Sequence, residues 1–210
     1  MRRSAPRKPG FRALTGREAA PILTSMTIRK IARMGHPILK LPAEPVKDPG
    51  APEIRALVED MIETMIDANG AGLAAPQVHE GLRVVIFQAP GARAEGGLDE
   101  EEAFDHTAPL TVLINPEIEP QSDEMDEGWE GCLSVPGLRG LVPRYTDIVY
   151  KGVGLDGNPV ERRAKGFHAR VVQHECDHLD GILYPQRMSD LGKLIFESEV
   201  RHWLASGRKP

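Results

Sequence analysis

The chain has 210 residues, which is enough for one domain with a substantial core. Its net charge is −5, so bulk electrostatics do not favour nucleic-acid binding, and no apolar run approaches the length of a membrane-spanning helix. The two cysteines argue against a disulfide scaffold and favour a reducing compartment. We therefore expect the protein in the cytoplasm.

The first 25 residues differ in composition from the rest. They contain six arginine or lysine residues against one acidic residue, Glu18, together with prolines and no helical periodicity. We therefore predict a disordered basic extension over residues 1–25. Its arginine-rich composition is typical of a transit peptide, which would place the protein in an organelle. We favour the alternative that Met26 is the natural start, because the residues that follow it read like the beginning of a domain.

Helical periodicity is clearest in residues 52–69. Apolar side chains recur there with the spacing of one helix face, and they are Ile54, Leu57, Val58, Met61, Ile62, Met65 and Ile66. Pro52 suits the first turn, and Asn69-Gly70 suits a C-terminal cap. We interpret the methionines of this helix as core residues.

Several short strands follow. The predicted strands are residues 82–88, 110–115, 145–152 and 159–164, the last two joined by a turn at Asp156-Gly157-Asn158. The glycine- and acid-rich residues 89–108 are predicted to form a surface loop, and residues 121–127 a second acidic loop.

Two further helices are predicted near the C-terminus. Residues 166–180 have apolar side chains on much of their circumference, as expected of a buried helix, and Gly181 ends it. Residues 189–204 are predicted as a last helix with Leu191, Leu194 and Ile195 on one side. Short strands around one buried helix predict an α+β domain.

The segment His174–His178 carries the strongest functional signal. Its two histidines are four residues apart, so they lie on one face of the helix and can bind one metal ion. Glu175 lies beside the first histidine, where it can exchange protons with a water at that metal. Cys176 projects away from His174, so we predict that it packs into the core. The segment predicts a metallohydrolase but leaves the third ligand open.

The third ligand distinguishes between enzyme classes. A metzincin protease has a histidine where this chain has Tyr184, and a thermolysin-like zinc endopeptidase uses a downstream glutamate, here Glu197 or Glu199. Cys132 is the better candidate, because it lies in a glycine-bearing segment, Glu130–Ser134. A Cys-His-His set leaves the fourth position of a tetrahedral ion open. The alternative role for Cys132 is that of a small buried hydrophobe.

A third segment, Gly70–Gln77, completes a family pattern. It reads G-A-G-L-A-A-P-Q and is followed by E-G-C-L-S at Glu130–Ser134 and by Q-H-E-C-D-H-L-D-G at Gln173–Gly181. In this order, the three segments resemble the signature motifs of peptide deformylase, and the resemblance extends from about Met26 to about Met188.

The resemblance implies both the fold and the reaction. The fold would be antiparallel β-sheets wrapped around a central metal-bearing α-helix, with an N-terminal helix and a C-terminal helix. This catalytic domain would span residues 26–205 and leave residues 206–210 as a tail. The reaction would be removal of the formyl group from the N-terminal formyl-methionine of newly made polypeptides, with release of formate. A zinc endopeptidase and a non-catalytic metal-binding module are the rival hypotheses.

The resemblance also implies the roles of individual residues. The implied metal ligands are Cys132, His174 and His178, the implied catalytic residues are Glu175, Gln77 and Leu133, and the implied substrate-binding residues are Gly72, Gly131, Phe167, Val171 and Arg139. Gln77 and the backbone N–H of Leu133 would stabilise negative charge on the formyl oxygen. The two glycines would present a strand edge to the peptide, and Phe167 and Val171 would receive the methionine side chain.

The metal and the partners follow from the same resemblance. A Cys-His-His set suits zinc, whereas the resemblance implies ferrous iron, at one divalent ion per chain, with zinc or nickel also able to bind. The expected partners are N-formyl-methionyl nascent polypeptides. Contact with the ribosome through basic residues near the C-terminus, such as Lys193, Arg201 and Arg208, is a further hypothesis.

Some charged residues keep two interpretations. Arg144 either pairs with Glu130 and holds the ligand segment or is a solvated surface arginine. The same surface role is the alternative for Arg139. Asp177 either supports the metal ligands or is a carboxylate on the helix surface. The remaining histidines are predicted to be surface or loop residues, and they are His36, His79, His106, His168 and His202.

Overall fold

The computed structural model describes residues 27–89 and 104–207. In this part of the chain the strands are β1 (Gly72–Ala74), β2 (Val84–Ala89), β3 (Ala108–Pro120), β4 (Met125–Cys132), β5 (Val135–Tyr145), β6 (Asp147–Val153), β7 (Pro159–Lys165) and β8 (Ile195–Phe196). The helices are α1 (Pro52–Asp67), α2 (Gly166–Leu179) and α3 (Val200–Ala205), with a helical turn at 104–106. The predicted basic extension and most of the predicted loop 89–108 lie outside the described residues.

The strands form two antiparallel sheets. The first has the order β1-β2-β3-β6-β7, and the second has the order β4-β5-β8. Strand β2 explains how the first sheet carries a helix on each face. Its side chains Val85 and Phe87 belong to the core cluster that contains α2, whereas Val84 and Ile86 belong to the cluster that contains α1. A continuous apolar run is what a strand buried on both faces requires.

Helix α2 lies between the two sheets. One side of it packs on the first sheet through Val172 and Leu179, and the other side faces β4 and β5. Gly181 lies two residues beyond its end and has φ +72°, and a Cβ there would lie 2.7 Å from the backbone of Lys40. Glycine therefore allows both the left-handed turn and the close approach of chain. The prediction of antiparallel sheets around a central helix is confirmed.

Helix α1 confirms the predicted apolar stripe with one exception. Its buried side chains include Leu57, Met61 and Met65, but Ile66 is 60% exposed. The stripe is narrower than predicted because the helix packs on one sheet face only. Beyond its end, Asn69 has φ +53°, the N–H of Asn69 donates to Ile66 and the N–H of Gly70 donates to Met65. These bonds form a Schellman cap in which asparagine takes the left-handed position.

One prediction about a connection is corrected. The acidic segment 121–127 is a loop only in its first part, because β4 begins at Met125, which pairs with Tyr145 at the end of β5. The first residues of β4, such as Asp126, are exposed. The start of this strand therefore lacks the apolar alternation that marks a half-buried strand. The four predicted strands are confirmed as β2, β3, β6 and β7, with ends shifted and β3 longer than expected.

The predicted helix over residues 189–204 is wrong. The segment consists of a short turn at Leu191–Lys193, strand β8, another turn at Glu197–Glu199 and the short helix α3. Strand β8 pairs with β5, and this pairing satisfies backbone groups that a helix would have used internally. None of the described helices is long and apolar enough to cross a membrane.

The prediction that His168 is a surface or loop residue is also wrong. His168 is fully buried in the first turns of α2, and its ring contacts the rings of Phe87 and Tyr150. Its Nδ1 donates to the carbonyl oxygen of Asp105 over 2.8 Å. The ring thus joins the helix to the sheet and to the turn before β3. Burial lowers the pKa of His168 to about 4.

Candidate metal centre

Helix α2 and the end of β4 bring three metal-binding side chains together. The helix presents His174 and His178 one turn apart, with ring centroids 5.1 Å from each other, and β4 ends at Cys132. The Sγ of Cys132 lies 3.3 Å from Nε2 of His178, and the candidate ligand atoms of all three residues lie within 4.8 Å of one another. Ligands around one tetrahedral ion are separated by roughly 3.5 Å. The donor set therefore fits a divalent metal ion.

The orientation of His174 is fixed by Glu130. The Nδ1 of His174 lies 2.8 Å from Oε2 of Glu130, so Nε2 remains to face the other ligands. Glu130 also accepts two hydrogen bonds from Arg144, at 2.8 and 3.0 Å. Burial alone would raise the pKa of Glu130, but the hydrogen bonds from His174 and Arg144 outweigh it and hold the pKa at about 2. The predicted pairing of Arg144 with Glu130 is confirmed.

Asp177 extends the same network on α2. Its carboxylate accepts from Nη1 of Arg144 at 2.5 Å and from Arg187 at 2.7 and 3.1 Å. Asp177 and Arg144 are both buried. The interpretation of Asp177 as a surface carboxylate is therefore wrong, and it lies in the network that holds β5 against the ligand helix.

Glu175 lies in a buried position against β1. Its side chain packs on Gly72, where an added Cβ would lie 2.6 Å from the carboxyl carbon of Glu175. Its Oε2 has no hydrogen-bond partner within the described part of the chain. Burial raises the pKa of Glu175 to about 7. A buried carboxyl group with one unused oxygen, next to a metal-binding histidine, is suited to exchange a proton with a group that enters the site.

Gln77 is held with its amide nitrogen toward the ligands. The Oε1 of Gln77 accepts from the N–H of Ala74 at 2.8 Å. This leaves Nε2 to donate to Oγ of Ser134 at 3.1 Å, and the same nitrogen lies 3.5 Å from Sγ of Cys132. The tight turn over Ala75–Val78 explains this geometry, because it brings the side chain back over its own backbone. An N–H donor is thus available beside the sulfur.

An open cavity of about 470 Å³ lies above these residues. Every predicted substrate-binding residue lines it, namely Gly72, Gly131, Arg139, Phe167 and Val171. The cavity also reaches Gln77, Cys132, Leu133, His174 and Glu175. The structure therefore brings all the predicted site residues together, with His178 behind the cavity at 1% exposure.

Residues that the sequence analysis did not single out also belong to this region. Arg170 lies one helical turn before His174, and its Nη1 donates to Glu130 at 3.1 Å and to the carbonyl oxygen of Val142 at 2.7 Å. Its guanidinium lies against Gly128, where a side chain would collide with it. The spacing of Arg170 from His174 could have indicated a shared helix face. The role of Ser134 as partner of Gln77 had no signal in the sequence.

The alternative third ligands, Glu197 and Glu199, do not belong to the ligand cluster found within the described residues. Tyr184 stacks on the ring of His174, with centroids 6.2 Å apart, and Glu197 pairs with Arg139. Cys176 is buried in the core cluster of α2, as predicted. A thiol and two imidazoles beside a buried carboxyl group can bind a metal ion and transfer a proton next to it, which is the chemistry of a metal-dependent hydrolase.

Comparison with known proteins gives the family. The family model of polypeptide deformylase matches residues 28–194. The chain is 54% identical over 171 residues to peptide deformylase 2 of Ralstonia nicotianae. The aligned region covers 80% of this chain and 92% of that protein. The chain therefore belongs to the polypeptide deformylase family, whose members depend on a metal. It is a hydrolase that removes the formyl group from an N-terminal methionine.

Solved structures agree with this assignment. The Met-Ala-Ser-bound class I type b peptide deformylase from Acinetobacter baumannii is 39% identical, with a TM-score of 0.67 over 78% of this chain and 99% of that chain. Peptide deformylase from Ehrlichia chaffeensis is 30% identical, with a TM-score of 0.71 over 88% of this chain and 99% of that chain. Family membership favours formyl removal over the endopeptidase and the non-catalytic module.

Proposed function

We propose that Cys132, His174 and His178 hold one divalent metal ion and that a formyl group is hydrolysed beside it. The observation that supports this most directly is the proximity of the three ligand atoms at the base of an open cavity. A divalent ion there acts as a Lewis acid, which lowers the pKa of water and polarises a carbonyl oxygen. Glu130 keeps the ring of His174 in the binding orientation.

Glu175 is proposed to move the proton. Its carboxylate accepts a proton from the water that attacks the formyl carbon and passes this proton to the nitrogen of the leaving methionine. The C–N bond of the formamide breaks, and formate and a free amine are the products. The position of Glu175 supports this role, because the residue lines the cavity and its Oε2 has no hydrogen-bond partner within the described residues.

Gln77 and Leu133 are proposed to stabilise the formyl oxygen as it becomes negatively charged. The Nε2 of Gln77 is held beside Cys132 by its bonds to Ala74 and Ser134, so it is available without a rearrangement. The backbone N–H of Leu133 would be the second donor, directly after the cysteine. Loss of one such donor typically costs about 3 kcal/mol, or about 10²- to 10³-fold in rate.

The peptide is proposed to bind between the two sheets. Strands β1 and β4 are the outermost strands of their sheets, and Gly72 and Gly131 lie on them at the cavity. An extended peptide can pair with such an edge by β-addition. The methionine side chain would then pack by Phe167 and Val171 of α2. The peptide Met-Ala-Ser bound by the Acinetobacter baumannii enzyme supports a substrate with N-terminal methionine.

Formate release from formyl-Met-Ala-Ser tests the function. We expect the wild-type protein to release formate and the Glu175→Ala protein to lose this activity while retaining its metal. Glu199→Ala is the control, because Glu199 is exposed and lies outside the cavity lining. Hydrolysis by Glu175→Ala at the wild-type rate would show that the proton-transfer role is wrong.

We propose ferrous iron as the native ion, with zinc or nickel also able to bind. A thiolate ligand is compatible with all three, and a ferrous centre with an open position is sensitive to oxygen. Metal analysis of protein purified without oxygen should find iron, and activity should fall on exposure to air. Zinc in protein purified in this way, with full activity, would contradict the proposal.

We further propose a cytoplasmic catalytic domain over residues 26–205, with residues 206–210 as a tail. The family match over residues 28–194 and the bacterial origin of the relatives support this. The partners are N-formyl-methionyl nascent polypeptides. Sequencing of the N-terminus of native protein tests whether residues 1–25 are present.

Contact with the ribosome stays a prediction. Lys193 donates to Glu127 at 2.6 Å, which reduces its availability to an anionic partner. Arg201 is exposed, whereas Arg208 lies outside the described residues. Co-sedimentation with ribosomes should therefore weaken on Arg201→Gln more than on Lys193→Gln. Equal co-sedimentation of both variants with the wild type would remove these residues from the hypothesis.

A further inference from the structure

Two oppositely charged side chains lie at the open side of the cavity. Arg139 on β5 and Glu197 after β8 both line it, and Nη2 and Nε of Arg139 donate to Oε1 of Glu197 at 2.6 and 3.0 Å. Their side chains are 41% and 57% exposed. The carboxylates of Glu130 and Glu175, which line the same cavity, are buried. The Arg139–Glu197 pair is therefore a charged part of the cavity that is accessible both to solvent and to a bound peptide.

The position of this pair is fixed by the backbone. Strand β8 pairs with β5 at Leu138 and Arg139, so the residue that follows β8 is held beside the guanidinium. The same guanidinium lies over Gly131, where an added Cβ would be 3.5 Å from Cζ of Arg139. Arg139 thus extends over the strand edge proposed for the peptide, and Glu197 is hydrogen-bonded to the same guanidinium.

A peptide paired with the strand edge at Gly131 runs beside the Arg139 guanidinium. The formyl end lies by the metal ligands, and the methionine side chain occupies the space by Phe167 and Val171. The following residues would extend along the side of the cavity that Arg139 and Glu197 line, because this side adjoins the strand edge at Gly131. Their side chains then pass the charged pair.

We propose that Glu197 determines how the enzyme responds to charge on the residues that follow formyl-methionine. This inference rests on the proposed function, because it concerns the same cavity and substrate. With both charges present, an acidic side chain is attracted by Arg139 and repelled by Glu197, so the enzyme accepts acidic and basic sequences with similar efficiency. Without the charge of Glu197, Arg139 acts alone and favours an acidic side chain.

Three amidated peptides test this proposal, namely formyl-Met-Ala-Asp, formyl-Met-Ala-Lys and formyl-Met-Ala-Ser. In Glu197→Gln we expect the ratio of kcat/KM for the Asp peptide to that for the Lys peptide to rise by about 2- to 5-fold, the range of exposed charge interactions. The change should lie mainly in KM, because a remote side chain is bound equally before and during the reaction. It should disappear in roughly 1 M salt, which screens such charges beyond about 3 Å.

Matched variants separate charge from structure. Glu197→Asp keeps the charge and should keep the wild-type ratio. Glu199→Gln makes the same charge change two residues away, outside the cavity lining, and should leave the ratio unchanged. Arg139→Gln leaves Glu197 alone and should shift the ratio toward the Lys peptide. Thermal unfolding of each variant shows that it is folded.

The outcomes distinguish this proposal from the proposed function. If wild-type protein does not hydrolyse the neutral Ser peptide, the proposed function fails. If it does, but Glu197→Gln and Arg139→Gln leave the Asp-to-Lys ratio unchanged, only the present inference is overturned. An equal loss on all three peptides also overturns it, because the pair would then merely fasten the C-terminal segment.

Discussion

The position of Glu175 in this site depends on the absence of a single atom, the Cβ of residue 72. The carboxyl group of Glu175 occupies the volume that a side chain on Gly72 would fill. The glycine has no positive φ, so its backbone does not require glycine. The reason for glycine at this position is therefore the space that the carboxyl group takes.

We predict that Gly72→Ala lowers the rate of formate release by about 100-fold or more, because the displaced Glu175 no longer reaches the reacting water. The metal content should remain that of the wild type. Gly81→Ala is the matched control, since a Cβ there meets no atom within 4 Å. Full activity of Gly72→Ala would contradict the close packing of Glu175 on Gly72.

Glu130 is predicted to support both metal affinity and stability. Glu130→Gln removes the charge that His174, Arg144 and Arg170 share, and should lower metal affinity by about 10- to 100-fold and stability by about 3–5 kcal/mol. Titration with metal and denaturant unfolding measure the two effects.

The control for Glu130 is Glu127→Gln. Glu127 pairs with Lys193 at the surface of the same strand, and losing this pair should cost at most about 1 kcal/mol. A Glu130→Gln protein that binds metal as tightly as the wild type would exclude an orienting role for this carboxylate.

At this scale the sequence predicted the groups with a fixed local spacing. His174, Glu175 and His178 follow from one helical turn, and Cys132 from its own motif. The contacts of Gly72 with Glu175 and of Arg170 with Glu130 depend on how β1 and β4 pack against α2. No local pattern encodes such contacts, so they became visible only in the fold.

Among the elements, α2 carries both histidine ligands and Glu175, so the contacts that fix this helix also fix the site. Its first turns are fixed by His168, whose Nδ1 donates to Asp105. Because burial lowers the pKa of His168 from 6.5 to about 4, the unfolded chain binds a proton in this range that the folded chain does not. The neutral, buried His168 therefore contributes stability that is fully present above pH ~6.5. As the pH falls to about 4, the free energy of unfolding decreases by on the order of 3 kcal/mol because of this residue.

This pH dependence can be measured with His168→Asn, whose amide can still donate to Asp105. The stability advantage of the wild type over the variant should be largest above pH ~6.5 and should shrink by about 2–3 kcal/mol toward pH ~4. The charged groups around the ring are Asp105, His106 and Arg162, with Tyr150 in contact, and all of them remain in both proteins. A difference that does not vary with pH would contradict a neutral buried ring, and His202→Asn at the surface is the control.

The elements also show where sequence patterns are informative. Helices α1 and α2 were predicted well, because each buries a continuous apolar face. Strands β1, β4, β5 and β8 were not predicted. The first residues of β4 are exposed and show no apolar alternation, and both β4 and β8 have their partner on β5. The C-terminal segment has helical spacing of Leu191, Leu194 and Ile195, but pairing of β8 with β5 overrides it.

For the molecule as a whole, metal binding and folding are linked. The three ligands come from α2 and β4, which belong to different layers, so an ion that binds them stabilises the contact between these layers. At a metal concentration about 1,000 times the dissociation constant, the gain is about 4 kcal/mol. For a domain of this size this corresponds to about 10 °C in melting temperature.

Removal of the metal with a chelator should therefore lower the melting temperature by about 10 °C, and returning the ion should restore it. Calorimetry of the wild type and of Cys132→Ala measures this. The variant lacks one ligand and should respond much less to chelator. Identical responses of the two proteins would show that Cys132 does not bind the ion.

The two cysteine thiols of the chain differ in access, and this gives them different reactivity. Cys132 is partly exposed at the cavity, whereas Cys176 is 7% exposed in the core, and burial raises the pKa of the Cys176 thiol. An alkylating reagent added to the native, metal-free protein should therefore modify one equivalent of thiol per chain, and the second only after denaturation. Oxidative damage would likewise begin at the ligand and abolish turnover before it disturbs the packing of the helix.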